Sequence, residues 1–446
     1  MNVMETRALQ RQGTFRIAVA SLAGTAIEFY DFYIYGTAAA LVIGPVFFPA
    51  ASAASQALNA FLTFGIAFLA RPLGSALFGH FGDRAGRKAT LVASLLVMGI
   101  STTLIGVLPG YDSLGTAAAA ILCVLRFGQG IGLGGEWGGA ALLATENAPA
   151  GRKAWFGMFP QLGPSIGFLL ANGVFLLLIS ALSDEQFKSW GWRLPFLASA
   201  VLVLIGLYVR MSLAETPAFA RAMAAHRPLP IPLATLIGTY WRPLLQGSLS
   251  IVVCYALFYI STVFALSYGV STLAIPRDSF LALLCVAILF MALATPAAAF
   301  CADRFGRRPV LLAGSAAAVV SGFLLPEGLG SGSMLGLLAF LSLALFVMGV
   351  TFAPLGALLP ELFPTRLRYS GAAVAYNLRH PRRLPCPLPC AASRQWGGLA
   401  WVGYYVSAAA AVSFLSVLSM PETISEDLSI FDLKSEDGGV PFDRAP

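Results

Sequence analysis

Residues 79–91 read GHFGDRAGRKATL, and residues 299–311 read AFCADRFGRRPVL. Both hold Asp-Arg-x-Gly-Arg followed by a further basic residue, at positions 83–88 and 303–308. Gly86 and Gly306 suit a tight turn because glycine alone tolerates a left-handed backbone. The charges around them mark short water-facing loops between apolar runs. A motif that recurs at the same place in two halves of a chain points to an internal duplication.

The rest of the sequence says what was duplicated. Of 446 residues, 58% are hydrophobic and only 11% charged. A soluble domain carries about a quarter charged residues, so too few polar groups exist here to cover a water-facing surface. Apolar runs long enough to cross a bilayer, about 20 residues each, are expected at 17–45, 58–79, 89–108, 116–143, 154–180, 193–211, 244–268, 279–301, 309–326, 333–359 and 397–419. Strict period-2 alternation is missing, which argues against a membrane barrel. Six runs precede a polar loop at 212–243 and five follow it. The loop motif follows the second run of each half, as in a transporter built from two repeated helix bundles.

Basic residues collect on one side of this arrangement. Arg7, Arg11, Arg16, Arg84, Arg87, Lys88, Arg152, Lys153, Arg210, Arg221, Arg227, Arg242, Arg304, Arg307, Arg308, Arg366 and Arg368 share it, against Lys188, Arg193 and Arg277 on the other. The positive-inside rule makes the first side cytoplasmic. Both termini lie there only if the number of spans is even, so a twelfth helix is expected between 370 and 395. In its place stands a basic, proline-broken segment with Arg379, Arg382 and Arg383. A span holding three arginines would cost roughly 2.5–3.5 kcal/mol for each one at the bilayer centre. His380, Cys386 and Cys390 match no metal-ligand spacing. Residues 379–383, Arg-His-Pro-Arg-Arg, can be encoded so that a shift of one nucleotide gives Gly-Ile-Leu-Gly-Ala. A frame slip across 378–395 is therefore the expectation.

The chain resembles the major facilitator superfamily and, within it, the metabolite:proton symporters. The stretches that carry the resemblance are GTAIEFYDFYIYGTAA (24–39), FLARPLGSALFGHFGDRAGRK (68–88), RFGQGIGLGGEWGGAALLATENAP (126–149), SWGWRLPF (189–196), ADRFGRRP (302–309) and LPELFPTRLRYSGAAVAYN (359–377). The resemblance implies an all-α polytopic membrane protein of two six-helix bundles. The expected organisation is a tail at 1–16, a bundle at 17–211, a central loop at 212–243, a second bundle at 244–420 and an acidic tail at 421–446. It also implies a multi-pass monomer in a bacterial inner membrane with both termini cytoplasmic. Partners would be a small metabolite, protons and lipid, with no nucleic acid, metal or cofactor. Relatives handle dicarboxylates, tricarboxylates, betaines and shikimate-like acids, and the residues do not choose among these.

Asp83, Arg84, Gly86, Arg87 and Lys88, with Asp303, Arg304, Gly306, Arg307 and Arg308, would gate the cytoplasmic face. Asp83 is expected to cap the helix that follows it or to meet an arginine across the bundle. In the first span Glu28 and Asp31 are three residues apart and Tyr35 follows at four, so the three share a helix face. Carboxyls within a membrane are expensive and usually functional, and removal from water favours their protonated form. Asp31, Glu28 and Glu136 are the proton-coupling candidates. Arg126 needs an acidic partner: a first-span carboxylate, Glu136 or an anionic substrate. Gln129, Tyr35, Gln161, Asn172, Tyr255 and Tyr259 complete the expected substrate contacts, and Arg71 is read as structural. The glycines at 128–139 have small-xxx-small spacings and suit close helix packing. The function expected is uptake of a carboxylate or zwitterion driven by proton entry. An exporter or uniporter on the same scaffold is the alternative, and a transporter-like sensor the rival from another class. No nucleophile–base pair or metal cluster suggests an enzyme.

Overall fold

The computed structural model describes residues 3–211, 232–378 and 398–423. Among them eleven helices are long and apolar enough to cross a membrane: α1 Gly13–Phe47, α2 Leu58–Ala85, α3 Arg87–Val107, α4 Thr116–Glu146, α5 Lys153–Ala181, α6 Gly191–Met211, α7 Trp241–Ser271, α8 Arg277–Phe305, α9 Arg307–Gly330, α10 Met334–Glu361 and α12 Leu399–Leu418. Between α10 and α12 a further helix, α11, is described over Arg368–Asn377. The expected frame slip at 378–395 falls outside the described residues, apart from Leu378.

The spans agree with the hydropathy reading to within a few residues, and the largest extension is informative. α2 continues six residues past 79 because the Asp-Arg motif is itself helical up to Ala85. Gly86 then turns the chain at φ 109° and ψ 156°, and Gly306 does the same between α8 and α9 with identical angles. Those φ values lie in the left-handed range, where a β-carbon is strained. The duplication read in the sequence is thus also a duplication of backbone.

α1 packs on α5, α2 on α4, and α3 on α4 and α6, which closes the first bundle. In the second, α8 packs on α10 and α9 on α12. The halves meet chiefly where α5 lies along α8 and α2 along α11, with further contact of α4 on α11 and of α5 on α10. Glycines make the tight crossings possible. A β-carbon at Gly74 would stand 2.1 Å from the Ile131 carbonyl oxygen, one at Gly130 2.2 Å from that of Ala67, and one at Gly134 2.2 Å from that of Arg71. The α4 glycine run therefore sets helix packing, as its spacing suggested. Replacing Gly74 with Val should lower the thermal midpoint in detergent, since overpacking costs about 1–3 kcal/mol. Gly173→Ala, where nothing lies within 4 Å, should leave the midpoint unchanged or raise it slightly.

Candidate functional site

A cavity of about 370 Å³ lies between the halves, at the end of the bundle opposite the Asp-Arg motifs. Tyr33 and Thr37 of α1, Phe168 and Asn172 of α5, and Phe258 and Tyr259 of α7 form much of its wall. The Tyr33 ring stacks on Phe258 with centroids 5.5 Å apart, and Phe168 meets Tyr33 edge-on at 5.5 Å. Asn172 is held by Thr37, whose hydroxyl donates to its Oδ1 at 3.0 Å. Beside the cavity α1 and α7 each loosen into a π-helical turn, at Ala39–Ile43 and Ile260–Phe264.

Beneath this aromatic floor lies a polar layer that also joins the halves. Trp137 of α4 stacks on Tyr376 of α11 at 3.9 Å. Its indole N–H donates to Gln161 Oε1 at 2.8 Å, and Gln161 Nε2 donates to the Phe352 carbonyl at 2.7 Å. The Tyr255 ring lies over Tyr259 at 6.2 Å, and its hydroxyl donates to the Tyr376 carbonyl at 3.2 Å. Arg71 Nε donates to Asn377 Oδ1 at 2.8 Å. Arg71 was read as structural; it is buried under the cavity, bridging the halves.

The carboxylates of α1 turn elsewhere. Glu28 and Asp31 are fully buried, and none of their four oxygens accepts a hydrogen bond among the described residues. Their face of α1 looks into the first bundle, toward Thr102 of α3 and Ser199 of α6 beside Asp31, and toward Arg71 and Arg210 beside Glu28. The cavity is lined by the opposite face, Tyr33, Gly36 and Thr37. Tyr35 accordingly leaves the substrate group: its hydroxyl bonds Thr63 Oγ1 at 2.7 Å inside the bundle.

Arg126 finds no carboxylate within 4.0 Å among the described residues. Its guanidinium lies 3.8 Å from the Tyr35 ring centroid, donates to the Phe64 carbonyl at 3.2 Å and bonds Gln129. Gln129 in turn donates to Thr102 Oγ1 at 2.6 Å. Neither residue is on the cavity wall, although Arg126 adjoins Phe64, which is. Glu136, one expected partner of Arg126, instead pairs with Arg210. Arg210 was placed among the surface charges. It turns inward because Gly24 leaves space: a β-carbon there would stand 2.6 Å from its Nη2.

At the motif end the halves are tied by two matching contacts. The Asp83 carboxylate accepts the backbone N–H groups of Tyr369 and Ser370 at 3.1 and 2.9 Å, capping α11. The Asp303 carboxylate accepts those of Ala154 and Trp155 at 2.9 and 2.8 Å, capping α5. Each motif aspartate thus caps a helix of the other half and not the next helix, and Asp303 also pairs with Arg307 of its own motif at 3.4 Å. A carboxylate suits the positive end of a helix dipole. Ion pairs reinforce both caps. Glu146, at the end of α4, takes Arg87 at 3.0 Å and Arg368 at 3.4 Å, and Glu361, at the end of α10, takes Arg307 at 3.2 Å. Glu146 escaped the sequence reading, and Glu361, which the sequence suggests as a loop cap at the end of the tenth span, takes an arginine instead. The signal was there: an acid at a helix C-terminus opposes the dipole and calls for a cation. Other motif residues make contacts within their own half. Lys88 donates to the Met211 carbonyl at 2.6 Å, Arg84 to His80 at 3.2 Å and Arg308 to the Leu418 carbonyl at 2.7 Å, while Arg304 lies over the Phe305 ring.

A model of the family described as "Sugar (and other) transporter" matches residues 17–227 and 240–432. The chain belongs to this family, within the major facilitator superfamily. It is a multi-pass membrane transporter and not an enzyme. It is 50% identical to the inner membrane metabolite transport protein YhjE of Escherichia coli strain K12, over 93% of this chain and 95% of that one. It is 40% identical to the shikimate transporter of the same strain, over 81% of this chain and 84% of that one. In fold it is similar to the proton:xylose symporter XylE bound to 6-bromo-6-deoxy-D-glucose, with TM-score 0.78 and 19% identity over 95% of this chain and 99% of that one. In this transporter, then, the cavity and polar layer lie where the two bundles meet, and the paired caps close one end of that meeting surface.

Proposed function

We propose that the transporter takes up a small carboxylate or zwitterion together with protons across a bacterial inner membrane. The motif end faces the cytoplasm, with both chain termini on that side, and the cavity end faces outward. The bundles at 17–211 and 244–420 rock about the cavity and polar layer, and the chain acts as a monomer. Glu28 and Asp31 are the proton carriers; Arg126, Gln129 and Glu136 hold their surroundings in shape. Tyr259 and Asn172 meet substrate first, and Tyr255 and Gln161 meet it deeper.

The observation that carries this reading is the pair Glu28 and Asp31, wholly buried and accepting no hydrogen bond among the described residues. A carboxylate kept charged in such a site would cost far more than a protonated one unless it were paired. A relative is named a shikimate transporter and others proline/betaine transporters, which fits an acidic or zwitterionic substrate. The test is uptake of labelled metabolites into vesicles holding the protein under an inward proton gradient. Accumulation is expected, and an uncoupler should reduce it to equilibration. Accumulation indifferent to the uncoupler would contradict proton coupling.

A further inference from the structure

We propose that Arg71 is the receptor for a carboxylate of the transported molecule and links that anion to the proton on Glu28. This rests on the transport reading above and goes beyond it by naming the group that substrate must carry.

Arg71 is 4% exposed, within α2. No carboxylate lies within 4.0 Å of it among the described residues. Its partners are all neutral: Asn377 Oδ1, the Tyr255 hydroxyl at 3.4 Å, and the rings of Tyr255 and Tyr376 at 5.9 and 5.6 Å. They orient the guanidinium without cancelling its charge. Nη1 makes no hydrogen bond among the described residues. A cation inside a membrane protein is costly unless it is paired, and the planar fork of arginine fits a carboxylate with two parallel bonds.

Its position suits that partner. Tyr255 lies between Arg71 and Tyr259, which lines the cavity. Tyr33, also on the wall, is within the electrostatic reach of Arg71. Among the described residues Arg277 is the only charged side chain lining the cavity, so the approach favours anions. Arg126, the rival receptor, is enclosed by Tyr35, Phe32, Phe64 and backbone carbonyls of its own half. The contacts of Arg71 with α7 and α11 also join the halves. An anion that displaces Asn377 would exchange a bond between halves for a bond to substrate and so release them to move.

Coupling follows from the neighbours of Glu28. Arg71 of α2, Arg210 of α6 and Asp31 of its own helix are the charged groups within its electrostatic reach. Tyr33 of α1 and Tyr369 and Tyr376 of α11 are within its electrostatic reach, and Glu136 of α4 pairs with Arg210. One positive charge on Arg71 serves two claimants. An anion bound there takes the charge that favours ionised Glu28, and Glu28 then binds a proton. The effect is reciprocal by linkage, so anion and proton bind together and leave together. No covalent bond changes.

The experiment uses vesicles holding the full chain and a panel of shikimate, malate, citrate, benzoate, proline, glycine betaine and xylose. At least one carboxylate-bearing compound is expected to accumulate, and the methyl ester of that compound should not compete. Arg71→Gln should slow its uptake about 10- to 100-fold, as expected on losing hydrogen bonds to a charged group, and Arg71→Lys should restore part of the rate. Glu28→Gln should keep exchange of the compound but lose its response to the proton gradient. Transport of xylose alone, full competition by the ester, or a wild-type rate in Arg71→Gln would overturn the assignment while leaving transport standing. The ester competition needs no variant, so a misfolded Arg71→Gln does not spare the proposal. Movement of no compound at all would remove the transport reading and this assignment with it.

Discussion

Asn in place of Asp31 is expected to abolish accumulation driven by a proton gradient while exchange of substrate across the membrane persists. The substitution keeps the shape of the side chain and replaces the carboxyl proposed to take a proton with an amide that does not. Asp31 is fully buried, beside Thr102 and Ser199, and its oxygens accept no hydrogen bond among the described residues. A neutral amide should sit there without disturbing the fold, since no ion pair is broken. Exchange needs the bundles to rock but not to return empty, so it separates loss of coupling from loss of structure. Counterflow of a labelled compound, set beside its gradient-driven uptake, makes the distinction. Unchanged accumulation would remove Asp31 from the scheme.

Arg210→Ala should have the largest effect on stability. Arg210 pairs with Glu136 and donates to the Leu91 carbonyl at 2.6 Å, closing the first bundle between α3, α4 and α6. Removing one partner of a buried pair costs about 3–5 kcal/mol, because the other charge is left in a low-dielectric site. Replacing both partners with apolar residues of similar size is often neutral. A thermal melt in detergent should therefore show a large loss for Arg210→Ala and substantial recovery in Arg210→Leu/Glu136→Leu. A double variant no more stable than the single one would mean that the carbonyl bond, and not the ion pair, carries the effect.

These two residues mark how far the sequence could be read. Spans were legible because hydropathy and length are local properties. The paired motifs were legible because a glycine turn with charges around it has one sensible place, between two helices at the water surface. The shared face of Glu28, Asp31 and Tyr35 followed from helical spacing alone. Which neighbour that face meets is not local. It looks into its own bundle, while Tyr33 and Thr37 on the far side of the helix line the cavity. Arg210 misled for the same reason, since a basic residue at a helix end reads as a surface charge unless the space beside Gly24 is known. Asp83 lies 286 residues from the Tyr369 amide that it caps. No spacing rule reaches that far, and only the repeat hinted that Asp303 would act alike.

On the proposed cycle the halves rock as bodies about the cavity, with the aspartate caps holding one end shut. Two spin-label pairs test it: Phe81 with Phe305 at the motif end, and Leu114 with Leu335 at the cavity end, all exposed positions. Removing both caps in Asp83→Ala/Asp303→Ala should withdraw about 1–4 kcal/mol from the closed state, taking each cap at about 0.5–2 kcal/mol. The motif-end distance should lengthen while the cavity-end distance shortens. A motif end that spreads with no change at the cavity end would contradict the account.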